Sequence, residues 1–181
     1  METTRHFVAT VYVVHDGATA LHYHDKLEMW LPPGGHVDRD ELPHVAARRE
    51  VREELGLDVD LVAPRGDFDT ETVRSVPRPQ HFLLEDINVT DDGDVGHQHV
   101  DFVFYGAVGS RDVTPADGEQ PADDWEWLTP ADLEARADEL PSDVRQVGTR
   151  AIATVDGEKQ SGQPQCLHDW DINGTYNPLG P

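Results

Sequence analysis

Between Gly35 and Leu57 the chain sets Glu41, Arg49, Glu50, Glu53 and Glu54 at spacings that could do chemistry. Helical residues advance by about 100° each, so Glu50, Glu53 and Glu54 would fall within an arc of about 100°. Arg49, one turn before Glu53, borders that arc. Three carboxylates on one helix face repel one another and raise one another's pKa unless a cation sits among them. Hard oxygen ligands of this kind suit Mg²⁺ or Mn²⁺, and Mg²⁺ keeps several waters and shares substrate phosphate oxygens. The pattern fits metal-assisted attack on a phosphate chain.

The elements that must position these residues are legible in outline. Residues 7–14 form an apolar, β-branched run closed by the turn signal Asp16-Gly17, and 19–24 and 26–31 read as two further strands. Pro32-Pro33-Gly34-Gly35 breaks the pattern. A helix is expected from about Leu42 to Leu55, with Asp40 as N-cap, Pro43 in its first turn and Gly56 just past its end. Residues 57–62, 81–88 and 97–108 are strand candidates, the last two separated by an Asp/Gly turn over 90–96. Residues 115–124 read as a loop and 125–128 as a short extended segment. Thr129-Pro130-Ala131-Asp132 starts a helix over 133–140, and Pro141-Ser142 opens a last helix to about Val155. Strands alternating with a few helices imply an α/β architecture, a mixed β-sheet sandwiched between α-helices. Residues 1–155 form the expected domain. Residues 156–181, rich in Gly, Pro, Asn, Gln and Asp with Trp170 and Tyr176 as bulky anchors, form a polar C-terminal extension.

Written out, the acidic segment is Gly35, five residues, Glu41, seven residues, Arg49-Glu50-Val51, one residue, Glu53-Glu54, one residue, Gly56-Leu57. It matches at every defined position the signature box of the Nudix hydrolases, and the order of elements from about Arg5 to Val155 resembles that family too. A chance acidic helix would explain the carboxylates but not Gly35, Glu41, Arg49 and Gly56 at the right spacings. The resemblance implies a Nudix fold and divalent-cation-dependent cleavage of a pyrophosphate bond in a nucleoside diphosphate linked to another moiety. It implies Glu53 and Glu54 as principal metal ligands, Glu50 as a further ligand or water-activating base, and the Gly34 carbonyl as an additional ligand. Glu41 and Arg49 would form an internal ion pair fixing loop to helix. Members often carry one more glutamate on a late loop before a tryptophan-containing strand. Glu119, ahead of Trp125-Glu126-Trp127-Leu128, is the candidate, with a solvated loop glutamate as the alternative.

Ten histidines stand in this acidic chain. His22 and His24 share a strand face, as do His97, His99 and Asp101, because strand side chains alternate. Residues 21–26, Trp30 to His36 and His97-Gln98-His99-Val100-Asp101 resemble one branch of the family. Lys26 with His97 and His99 is the candidate set for phosphate contacts, against the plainer reading of an exposed polar strand. A second metal site from the histidine pairs is the other option, but zinc ranks low, because no cysteine pair offers the usual spacing. Trp30, Trp125 and Trp127 could stack a base or fill the core, and for Trp127 the core is the better reading.

Thirty-six acidic residues face fourteen basic ones, giving a net charge of −22, with Lys26 and Lys159 the only lysines. Such a field repels nucleic-acid backbones and anionic membranes, so a nucleic-acid or membrane role is not expected. Dispersed carboxylates with almost no lysine resemble proteins of salt-loving archaea, against the plainer reading of a moderately acidic protein with a polycationic partner. One cysteine, Cys166, permits no intrachain disulfide, no apolar run reaches the length of a membrane span, and no export signal is read at the N-terminus. A cytoplasmic setting follows as the expectation. The partner is then a nucleotide-derived small molecule. A homodimer is an option that the resemblance raises and the residues do not demand. Two alternatives to the leading function stand beside it: a pyrophosphohydrolase that cleans damaged nucleoside triphosphates from the pool, and a Nudix-fold module that senses a nucleotide without cutting it. The intact box, and the lack of a basic recognition helix, weigh against the second.

Overall fold

The β-branched run near the N-terminus becomes a long strand, β1 (Thr4–His15), and everything else is built around it. The computed structural model describes residues 3–64, 66 and 68–161. Asp16 and Gly17, both at positive φ, reverse the chain into β2 (Ala18–His24), antiparallel to β1. The expected third strand over 26–31 shortens to β3 (Met29–Leu31), because the amides of Leu27 and Glu28 turn back onto the His24 carbonyl. Pro32 and Pro33 break the pattern as anticipated. The two glycines then re-enter the sheet as β4 (Gly34–His36), antiparallel to the first half of β1, with Thr10 opposite Gly34 and Val8 opposite His36. One long strand thus serves two short partners along the same edge.

Helix α1 (Pro43–Leu55) follows, entered through Leu42 in extended backbone with no side-chain cap. The expected cap at Asp40 does not form, because Pro43 holds the preceding residue extended and moves the helix start past Asp40. Gly56, at φ 69°, closes the helix in the left-handed conformation that a glycine accepts without strain. β5 (Val59–Leu61), β6 (His81–Val89) and β7 (Val95–Val108) come next, the last two as a hairpin. β7 lies parallel to β1 from Thr4 beside His97 to Val14 beside Ala107. β8 (Trp125–Leu128) pairs with β2. Thr129 and Asp132 cap α2 (Pro130–Ala135) reciprocally, but the helix stops five residues short of the expected end. α3 (Ser142–Ser161) runs on past Val155, so the expected boundary between 155 and 156 falls inside a helix. Most of the expected extension, with Trp170 and Tyr176, lies outside the described residues.

The result is one mixed eight-stranded sheet with α1 on one face and α2 and α3 on the other. Ala9, Val11, Val13 and Phe104 meet Ala46, Ala47, Val51 and Leu55 beneath α1. Tyr12, Val14, Val103 and Tyr105 meet Leu133, Val144, Ile152 and Val155 on the opposite side. Trp125 is buried in the first core and Trp127 packs against it, while Trp30 packs against the second with Arg136 over its ring. No helix among the described residues is long and apolar enough to cross a membrane.

Candidate functional site

The acidic face of α1 is organised by Arg49. Its Nε and Nη2 donate to the two oxygens of Glu41 at 3.0 Å each, a two-pronged pair that ties the loop before the helix to the helix itself. Its Nη1 donates to Glu50 at 2.8 Å and to Glu53 at 2.9 Å, and its Nη2 also reaches the His36 carbonyl at 3.0 Å. The expected ion pair therefore forms, and the same guanidinium also neutralises part of the helix face.

Glu54 sits deeper. Its Oε2 accepts the Gly34 amide at 3.1 Å, and burial pushes its carboxyl up to about 8, with Glu50, Glu119 and Glu53 adding repulsion. Burial raises Glu50 as well, opposed by Arg49 and reinforced by Glu53 and Glu119. Two glycines make this closeness possible. A Cβ on Gly34 would lie 2.7 Å from the Ala9 carbonyl oxygen, and one on Gly35 would overlap the Glu50 carboxylate. Gly35 is required by the approach of α1 to β4, and Gly34 by the approach of β4 to β1.

Glu119 lies on a loop brought to the end of α1 from a distant part of the sequence. The 110–121 loop is fastened to the end of α1 by amide bonds from Thr114 to the Leu55 carbonyl, 2.8 Å, and from Ala116 to the Glu53 carbonyl, 2.7 Å. Glu119 follows in an exposed turn, its amide bonded to the Ala116 carbonyl, and its charge acts on both Glu50 and Glu54. The structure thus brings Glu50 against Gly35 and Glu54 onto the Gly34 amide, with Glu53 on the same Arg49 nitrogen as Glu50 and the loop of Glu119 docked at the end of α1.

The phosphate-contact candidates are not gathered in the same way. Lys26 is exposed in the β2–β3 turn, while His97 and His99 project from β7. Those two histidines instead meet His6 on β1 and His36 on β4, neither of which the sequence assigns a role. Ring centroids are 4.7 Å apart for His6 and His97, 5.1 Å for His6 and His36, and 5.4 Å for His36 and His99. Burial, then the neighbouring imidazoles, lowers His99 to about 4 and pulls His36 below its ordinary value. The signal that could have found the cluster is the shared face of His6 and of His97 with His99, but it needs the β1–β7 pairing to be known.

Residues 4–148 match the family model of the NUDIX domain. Residues 142–181 match that of the HEWD domain. Among solved structures, a NUDIX-family hydrolase from Clostridium perfringens is 31% identical, over 84% of this chain and 99% of that one, with a TM-score of 0.73. A NUDIX hydrolase from Nitrosomonas europaea (15% identical, 97% and 99% covered, TM-score 0.51) shares the fold. So does a MutT protein from Methanosarcina mazei Go1 (18% identical, 88% and 99% covered, TM-score 0.52). Among curated proteins no relative matches.

Proposed function

The chain belongs to the NUDIX family, and from that premise we propose a divalent-metal-dependent pyrophosphohydrolase that cuts the diphosphate bridge of a nucleoside diphosphate linked to another moiety. The observation that carries this reading is the placement of Glu50 against Gly35 and of Glu54 on the Gly34 amide, with Glu53 held beside Glu50 by one nitrogen of Arg49. The donor set fits Mg²⁺ or Mn²⁺: hard carboxylate oxygens, crowded enough that Glu54 is held up at about 8 by burial and like charge. Glu53 and Glu54 would be the principal ligands, with Glu50 and the Gly34 carbonyl beside them. The bound ion would neutralise phosphate oxygens and polarise water.

The protein's own groups do the rest by position. Arg49 fixes Glu50 and Glu53 through one nitrogen and Glu41 through two, so the carboxylates are set before a substrate arrives. Water attacks one phosphorus in line, the bridging P–O bond breaks, and the departing phosphate carries the electron pair. The water's proton passes to a carboxylate, Glu119 or Glu50. Glu119 is the better candidate, being exposed on its loop and free of the Arg49 pairing that occupies Glu50.

The test is a panel of nucleotide sugars, dinucleoside polyphosphates, ADP-ribose and nucleoside triphosphates assayed with Mg²⁺. Cleavage of a diphosphate-bridged compound to two phosphorylated products is expected. Release of pyrophosphate from triphosphates alone would move the assignment to pool cleaning. Glu53→Gln and Glu54→Gln should each lose about 10²-fold or more in rate, and Glu119→Gln about 10²–10⁴-fold if it takes the proton. Unchanged hydrolysis of every accepted substrate by the first two variants would overturn the catalytic assignment.

A further inference from the structure

The histidine cluster lies on the sheet face opposite α1, and the strand register explains why. Thr4 stands beside His97 and His6 beside His99 across the parallel β1–β7 pair, and His36 stands beside Val8 across β1–β4. Directly paired residues point to the same face, and so do residues two apart. His6, His36, His97 and His99 therefore share one face, held by three paired strands rather than by loops. The Glu50 carboxylate is on the other side, against Gly35.

We propose that His6, His36 and His97 form a binding site for one divalent transition ion of the class that prefers imidazole, Zn²⁺ being its representative. Each of the three offers a ring nitrogen, and the three nitrogens lie within 4.8 Å of one another. His6 Nδ1 and His36 Nε2 are 3.2 Å apart. Two nitrogens bound at about 2.0–2.1 Å to one tetrahedral ion stand about 3.3–3.4 Å apart. That pair is already at the spacing of a tetrahedral edge, and a small closure of His97 completes one face of the coordination sphere. The Thr4 hydroxyl, 3.0 Å from His97 Nδ1, orients that ring as outer hydrogen bonds orient metal-bound imidazoles. His99 fills the side of the cluster next to His36 and His97. His6 and His36 are exposed, so a fourth position is open to water or to an oxygen of a ligand.

A phosphate group is the other chemistry that histidines attract, and it fits less well. It needs charged imidazoles, which four rings at these distances disfavour in one another. The net charge of −22 further lowers the local concentration of anions and raises that of cations. Ligand type separates the two metal sites, since imidazole selects transition ions and carboxylate selects Mg²⁺. One residue joins them: His36 gives its ring to the cluster and its carbonyl to Arg49. The proposal does not rest on the hydrolase reading.

The full chain, stripped with a chelator, should be titrated calorimetrically with Zn²⁺ in excess Mg²⁺, and with Co²⁺ followed by visible absorption. One Zn²⁺ per chain is expected, with cobalt bands of a four-coordinate nitrogen-rich site. His6→Asn and His97→Asn should each weaken binding by about 10–100-fold or more, while Glu53→Gln leaves it unchanged. Histidine NMR of the wild-type chain, which needs no variant to fold, should show the imidazoles of His6, His36 and His97 moving on zinc addition. Three results would overturn the site: no zinc bound in excess Mg²⁺, binding lost in Glu53→Gln but kept in the histidine variants, or inorganic phosphate rather than zinc moving the three imidazoles.

Discussion

Asp101 alternates with His97 and His99 along β7 and is buried between Val8 on β1 and Leu83 on β6. Burial holds its carboxyl at about 7, Glu85 adds to this, and hydrogen bonds involving Thr10 pull the other way. Against an ordinary value of 3.8, the folded chain keeps a proton there that the unfolded chain has released. This group therefore lowers stability progressively from about pH 4 to about pH 7, with no further loss above that. Asparagine stays neutral throughout. Asp101→Asn should match the wild type most closely at the acid end and exceed its stability above pH 7 by on the order of 2–4 kcal/mol. Urea unfolding at a series of pH values measures the difference, and a gap that stays flat across this range would remove burial as the cause. Arg49, Glu41 and the box glutamates are legible because their roles depend on spacing along one loop and one helix. His6 and His36 are not: His6 meets His97 and His99 through the parallel β1–β7 pairing and His36 meets His6 through the antiparallel β1–β4 pairing, which no local pattern announces.

The elements were mostly legible in type and less so in extent. β1 and α1 carry long, clean patterns, whereas β4 does not announce itself, because two prolines and two glycines rarely form a strand unless a longer neighbour offers its edge. The 110–121 loop carries a sharper lesson, since Glu119 matters only because backbone bonds from Thr114 and Ala116 dock this loop on the end of α1. Gly56 makes the docking possible: it has a φ of 69°, and a Cβ there would collide with the Thr114 carbonyl. Gly56→Ala should cost more than about 1 kcal/mol from the left-handed backbone alone. The collision should also push the loop off the helix and carry Glu119 with it. The expected outcome is a fall in turnover like that of Glu119→Gln, in a chain that still binds zinc at the distant histidines. Thermal melts and substrate kinetics on both variants check this, and full activity in a destabilised Gly56→Ala chain would separate the loop from catalysis.

At the scale of the molecule, the sheet and its two helical layers follow from apolar alternation, but the surface follows from charge. Many described arginines already hold acids: Arg49 with Glu41, Glu50 and Glu53, Arg52 with Asp58, Arg136 with Glu126 and Glu139, and Arg145 with Glu134. With thirty-six acids and fourteen bases in the chain, the carboxylates leave a large uncompensated negative charge. Their mutual repulsion works against the compact state, and its range is set by salt, about 10 Å at 0.1 M and about 3 Å at 1 M. We infer from this balance a fold suited to a very salty medium. Its unfolding midpoint should rise steeply as KCl increases to about 1 M, on the order of 10 °C, the shift that a few kcal/mol produces in a chain of this size. The rise should then flatten, because neighbouring charges are already screened. NaCl should act as KCl does, since screening depends on ionic strength and not on the identity of the cation. A midpoint that stays level or falls with KCl would mean that the surface carboxylates do not oppose folding, and the adaptation to salt would have to be abandoned.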